Sequence, residues 1–121
     1  MSVTAANIPS VLADAQWMMA DPGNGGALPN YRSGTIPLVT TGAETRTLAA
    51  PVTEGQFIAL YFKTDAGDCV VTVATGLNTT GNNTITFNDA GELIVLFAVQ
   101  IGADLRWRTI YGSEGPGLST V

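Results

Sequence analysis

The sequence predicts an all-β protein: a small antiparallel β-sandwich or barrel, jelly-roll-like or β-tulip-like, with an extended N-terminal arm. Three observations lead there. From residue 47 onward, short β-branched and aromatic runs alternate with turn residues. The turns between them hold about two to eight residues, too few for a crossover helix, which implies antiparallel neighbours. Residues 1–46 have another texture, poor in such runs and rich in Pro and Gly, which favours extended backbone over a packed core.

Within the arm, Ser10 is placed to cap a short helix over 10–20, with Val11, Leu12, Ala15, Met18 and Met19 as its apolar side. Pro9 and Asp21-Pro22 bracket it, and "DPGNGGALPNYRSGTIPLVTTG" then continues as an extended segment. In the β domain, 47–121, the expected strands centre on "TRTLAA", "GQFIALYFKT", "DCVVTVAT", "NTITFN", "ELIVLFAVQI" and "LRWRTIYG". Two echoes tie them together. "TDAGDCVV" at 64–71 returns as "NDAGELIV" at 88–95, and "TTGAETRTL" at 40–48 returns as "TTGNNTITF" at 79–87. Asp-Ala-Gly suits a tight turn, the Asp bonding its own backbone and the Gly taking a positive φ.

The run Leu93–Val99 is apolar at seven consecutive positions. A strand with one wet face has no need of that, so both faces of this strand call for cover. A β domain of about 75 residues buries only about 60% of its unfolded surface. Neighbouring subunits are therefore expected to cover the second face, although a tight two-sheet sandwich also satisfies the pattern.

Charge and composition narrow the function. The chain has 121 residues and a net charge of −5, with no cluster of Lys or Arg, which argues against nucleic acid and anionic membrane as partners. No apolar run is long enough to span a bilayer as a helix. "MSVTAANIPS" has neither a charged n-region nor an apolar h-region, so no secretion signal is expected, and one cysteine fits synthesis in a reducing cytosol.

Histidine is absent, which removes the commonest general base and transition-metal ligand. Cys69 sits in a strand pattern beside Val70 and Val71 and reads as an inert buried thiol, and Lys63 reads as a solvated charge at a strand end. Asp65, Asp68, Asp89 and Glu92 offer two carboxylates per loop, short of the six to eight oxygens calcium takes. The expectation is a protein that is not an enzyme, with no cofactor and no metal.

Two aromatic groups remain. On a strand, Trp107 and Leu105 share one face and Arg106 and Arg108 the other, so Trp107 reads first as core, with a stacking platform for sugars or single strands as the rival reading. Trp17-Met18-Met19 reads as an anchor for a partner surface, or equally as a fold-back onto the β domain.

The stretches "TRTLAAPVTEGQFIALYFKTDAGDCVVTVATGLN", "TITFNDAGELIVLF" and "WRTIYGSEGPGLST", which cover 45–120, resemble short virion modules of tailed bacteriophages. The resemblance lies in an R-T-L strand, a Gly-led apolar strand, Asp-Gly turns, W-R and a Gly-rich end. Small proteins of this kind are best known as capsid decoration, or cement, proteins. The resemblance implies a β-rich homotrimer on the capsid exterior, bridging neighbouring major capsid subunits through an N-terminal arm, and assembled in the bacterial cytoplasm.

On that reading the expected capsid contacts are Ile8, Val11, Leu12, Trp17, Met18, Met19, Tyr31 and Arg32. The expected contacts between copies are Phe57, Tyr61, Trp107 and Tyr111. Related modules in head fibres and tails keep a second function open, recognition of a host-surface glycan. A third, a carbohydrate-active enzyme, requires a carboxylate pair facing a cleft.

Overall fold

A computed structural model of the chain describes residues 17–78, 82–110 and 117–119. The protein is all-β. Its strands are β1 (Gly26–Ala27), β2 (Gly34–Val39), β3 (Glu44–Leu48), β4 (Phe57–Thr64), β5 (Cys69–Leu77), β6 (Asn82–Phe87), β7 (Leu93–Ile101), β8 (Asp104–Thr109) and β9 (Gly117–Ser119). Each of the six strands expected from the sequence is present. All nine belong to one sheet, in the order β1-β3-β5-β8-β7-β4-β2, with β6 on β5 and β9 on β6.

The sheet curls so that two halves face each other. One half holds β1, β3, β5, β6 and β9; the other holds β2, β4, β7 and β8. Their inner rows make one core: Leu48, Cys69, Val71, Val73, Ile85 and Phe87 from the first, and Ile36, Leu38, Ile58, Leu60, Phe62, Ile94, Leu96, Ala98 and Trp107 from the second. Phe62 and Phe87 meet across it, ring centroids 6.0 Å apart.

The sheet is mixed rather than antiparallel. β1–β3, β2–β4, β3–β5 and β5–β8 pair in parallel. The expectation that short loops exclude parallel neighbours fails for a definite reason. Successive strands from β1 to β5 alternate between the two halves, so β3 is the crossover between β2 and β4, and β4 is the crossover between β3 and β5. A strand of the opposite half does the work that a helix does in a parallel sheet.

Residues 17–46 are not an arm; they are structural. β2 pairs along β4, β3 pairs along β5, and residues 17–28 form a strap across the gap between the two ends of the sheet. On the β2 side, Met18 bridges Thr35, the Met19 N–H donates to the Thr35 carbonyl at 2.7 Å, and the Val39 N–H donates to Asp21 Oδ2 at 2.9 Å. On the β3 side, the Gly25 and Leu28 N–H groups donate to the Thr45 and Thr47 carbonyls, and β1 pairs Gly26 with Arg46. Met19 and Leu28 enter the core, each contributing about 1.5–3 kcal/mol by apolar burial. Of the helix expected over 10–20, residues 10–16 lie outside the described residues, and Met18–Ala20 are not helical because their backbone bonds β2 instead.

Candidate functional site

The apolar run Leu93–Val99 splits by parity. Ile94, Leu96 and Ala98 point into the core, while Leu93, Val95, Phe97 and Val99 point outward. β4 pairs with β7 so that Phe57 lies opposite Phe97, Ala59 opposite Val95 and Tyr61 opposite Leu93. Pro37 of β2 continues the Tyr61 row. The result is an outer face of Phe57, Ala59, Tyr61, Leu93, Val95, Phe97 and Val99, with Phe57 and Phe97 each 37% exposed, bordered by Thr35 beside Ala59 and by Arg108 and Arg106 beside Phe97 and Val99. Val39 and Ile110, also exposed, extend the same half.

The outer face of the other half is built mainly from threonine. Thr45 and Thr47 of β3, Thr72 of β5 and Thr86 of β6 occupy its outward positions, with the smaller apolar side chains Val70 and Ala74 between them. No aromatic side chain stands among these outward positions. The two outer faces therefore differ in their aromatic and aliphatic content.

One corner of the apolar face gathers five residues singled out in the sequence. Trp17 stacks on Phe57, centroids 5.4 Å apart and planes within 22°. Met18, next to it, is exposed, and its carbonyl accepts from Arg32 Nη2 at 3.1 Å. The Arg32 guanidinium lies 5.6 Å over the Tyr31 ring, and Tyr31 is 69% exposed. Ser33 Oγ accepts the Phe57 N–H, which fixes this loop to the start of β4. Beside it opens a cavity of about 310 Å³ lined by Tyr31, Arg32, Ser33, Thr53, Glu54, Gly55 and Gln56. Buried Gln56 links its walls: it donates to the Asn30 and Arg32 carbonyls and accepts the Val52 N–H.

Not every expected contact lies at the surface. Trp107 is wholly enclosed and its indole N–H donates to the Ala49 carbonyl at 3.0 Å, so it has no area to offer another copy; its reading as core is the right one. Met19 is likewise spent on the core. Tyr61 is half-buried on the outer face. Ile8, Val11, Leu12 and Tyr111 lie outside the described residues. The outward row Leu93, Val95 and Phe97 went unnamed in the sequence because both parities of that run are apolar, and the β4–β7 register alone decides which faces out.

No family model and no curated protein matches this chain. Function therefore rests on the surface itself.

The polar clusters elsewhere have structural work. Arg46, fully buried, donates from Nε and Nη2 to both carboxyl oxygens of Asp21 at 2.7 and 2.9 Å, pairs with Glu44 at 2.9 Å, and donates to the Val39 carbonyl. Burial alone pushes the Asp21 carboxyl up, but the bonds from Arg46, Val39 and Gly23 outweigh it and hold it below the ordinary carboxylate value. At Glu44, bonds from Thr41 and Arg46 together hold the carboxyl down. Burial pushes the Cys69 thiol up to about 11, against the pull of nearby Arg46, so it is protonated and unreactive at neutral pH.

The Asp-Ala-Gly segments are turns: Asp65 Oδ1 accepts the Gly67 N–H, and Gly91 holds φ +96°. Among the described residues no group of three or more His, Cys, Asp or Glu could hold a metal ion, and no helix is long and apolar enough to cross a membrane.

Proposed function

We propose that this chain is a structural virion protein, a cement protein that binds the outside of a tailed-phage capsid and bridges neighbouring major capsid subunits. The observation that carries the reading is the contrast between the two outer faces. A threonine-rich face needs no cover, whereas the outward Phe57, Leu93 and Phe97 support a protein–protein contact on the other. Its corner, Trp17, Met18, Tyr31 and Arg32, has the residue types that dominate binding energy at interfaces, and these stand as the capsid contacts.

Phe57 and Tyr61 stand as contacts between copies, which associate as trimers on the particle. Several weak contacts engaged at once then hold the capsid without any strong single patch. Such a clamp involves no chemical step, cofactor or metal.

The test is co-sedimentation with expanded capsids stripped of decoration. The wild-type chain is expected to saturate them, and the Tyr31→Ala/Arg32→Ala double variant to bind at least about 30-fold more weakly, the loss of one contact of about 2 kcal/mol. Undiminished binding by that variant removes this corner from the interface. A chain that ignores capsids overturns the reading.

The cavity beside Tyr31 favours a second reading, a head-fibre or tail module that recognises a host-surface glycan. An exposed aromatic beside Glu54, Ser33 and Thr53 supplies a stacking surface and polar groups for sugar hydroxyls. A glycan array separates the two: binding lost in Tyr31→Ala supports the glycan reading.

A further inference from the structure

The chain has five cations, and the fold places them unevenly. Arg46 is buried with its own carboxylates. Arg32, Arg106 and Arg108 stand at the Phe57–Phe97 end of the outer face. Phe97 lies between Phe57 on one side and Arg108 on the other, and Val99 lies opposite Arg106. With Trp17 stacked on Phe57, a row runs across the strands from Trp17 through Phe57 and Phe97 to Arg108. Arg108 is exposed, and among the described residues its side chain makes no ion pair or hydrogen bond. Two carboxylates share this end, Glu54 beside Arg32 and Asp104 at 3.9 Å from Arg106, so three cations against two acids leave it positive.

The other end of the molecule is acidic. The two Asp-Ala-Gly turns lie side by side there, because the Gly91 N–H donates to the Phe62 carbonyl at the end of β4. They hold Asp65, Asp68, Asp89 and Glu92 against a single cation, Lys63. Asp65, Asp68 and Asp89 are exposed, and so are Ala66 and Ala90. Among the described residues none of these four acids makes an ion pair. Each turn is thus a methyl group with a carboxylate beside it, and the row is a pair of rings with a guanidinium beside it. In a chain of net charge −5, copies repel one another unless unlike charges are brought together. Like faces packed on each other close as a two-fold pair, whereas three copies around an axis require contact between unlike surfaces.

We propose that the Asp-Ala-Gly turns of one copy seat on the Phe57, Phe97 and Arg108 row of the next, with Ala66 and Ala90 against the rings and Asp68 and Asp89 facing Arg108. This rests on the reading of Phe57 as a contact between copies that form trimers, and it involves no capsid. The echo of "TDAG" in "NDAG" then has a use beyond folding, since it supplies the same knob twice.

The test is the native mass of the full-length chain across a dilution series. Association is expected to weaken between about 0.1 M and 1 M salt, as the screening length falls from about 10 Å to about 3 Å. Arg108→Glu, and separately the Asp68→Lys/Asp89→Lys double variant, are each expected to raise the dissociation constant at least about tenfold. Neither aspartate side chain bonds its own turn, unlike Asp65, so the fold is left alone. The three substitutions combined in one chain exchange the two signs and are expected to restore association to within about threefold of the wild type.

Charge reversal without effect, no recovery in the combined chain, or a dimer in place of the trimer overturns the proposal. If reversal has no effect but Phe57→Glu still separates the copies, the contact between copies survives and only this pairing falls. A chain that is monomeric throughout takes both down together.

Discussion

Arg46 ties three segments of this fold together. It is a buried cation that touches the strap, its own strand and the end of β2, so removing its main partner leaves a charge without full compensation. Asp21→Asn is expected to cost about 3 kcal/mol at pH 7, the low end for a broken buried pair because Glu44 remains; denaturant unfolding measures it. Asp21 titrates below its ordinary 3.8. Its contribution is therefore fully present above that value and lost as pH falls through the folded value. Stability of the wild type should hold from neutrality to about pH 5 and decline below pH 4. The gap to Asp21→Asn should narrow in that same window.

Gly67 offers a second test at this scale. A Cβ there would stand 2.3 to 2.6 Å from backbone atoms of Gly42 and Ala43, which cannot yield as a side chain does. Gly67→Ala is expected to cost about 2–3 kcal/mol, as overpacking does, and thermal unfolding would show it. The sequence assigned this glycine to turn conformation; its reason is close packing, which no local pattern reveals. Arg46 was more legible than it looked. In "ETRTL" the alternation puts it on the same side as Leu48, hence inward, although its charge suggests the opposite.

At the scale of elements, the six strands from β3 to β8 were legible because alternation and turn chemistry are local. The strap was not. Its Pro and Gly content resembles an arm, yet Gly34 of β2 lets the strap approach closely, and the strap's backbone bonds go to Thr35, Thr45 and Thr47, well away along the chain. Deleting residues 1–34 would therefore take Met19, Asp21 and Leu28 out of the fold along with any partner contacts, whereas a cut before Trp17 spares all three. Leu28→Ala is expected to cost about 2–4 kcal/mol. Cys69 reports the same opening. Its thiol, buried and pushed up to about 11, should resist alkylation in the wild type at pH 7.5. In Leu28→Ala it should react at least about tenfold faster as the population of open molecules rises; equal rates would mean that the strap does not guard the core.

For the whole molecule, the run Leu93–Val99 sets the question of what an exposed greasy strand is for. The chain covers Ile94, Leu96 and Ala98 by its own curl, while Leu93 and Phe97 stay exposed on the outer side. An exposed apolar face of this kind associates when a matching surface is at hand. The measurement is native mass across a dilution series. The chain should rise with concentration from 12.5 kDa toward a multiple of that mass. Phe57→Glu should return it to a single copy, because a charge in the face costs more to bury than the contact returns. A chain that stays monomeric at every concentration would mean that the face tolerates water, and the case for other copies there would fall with it.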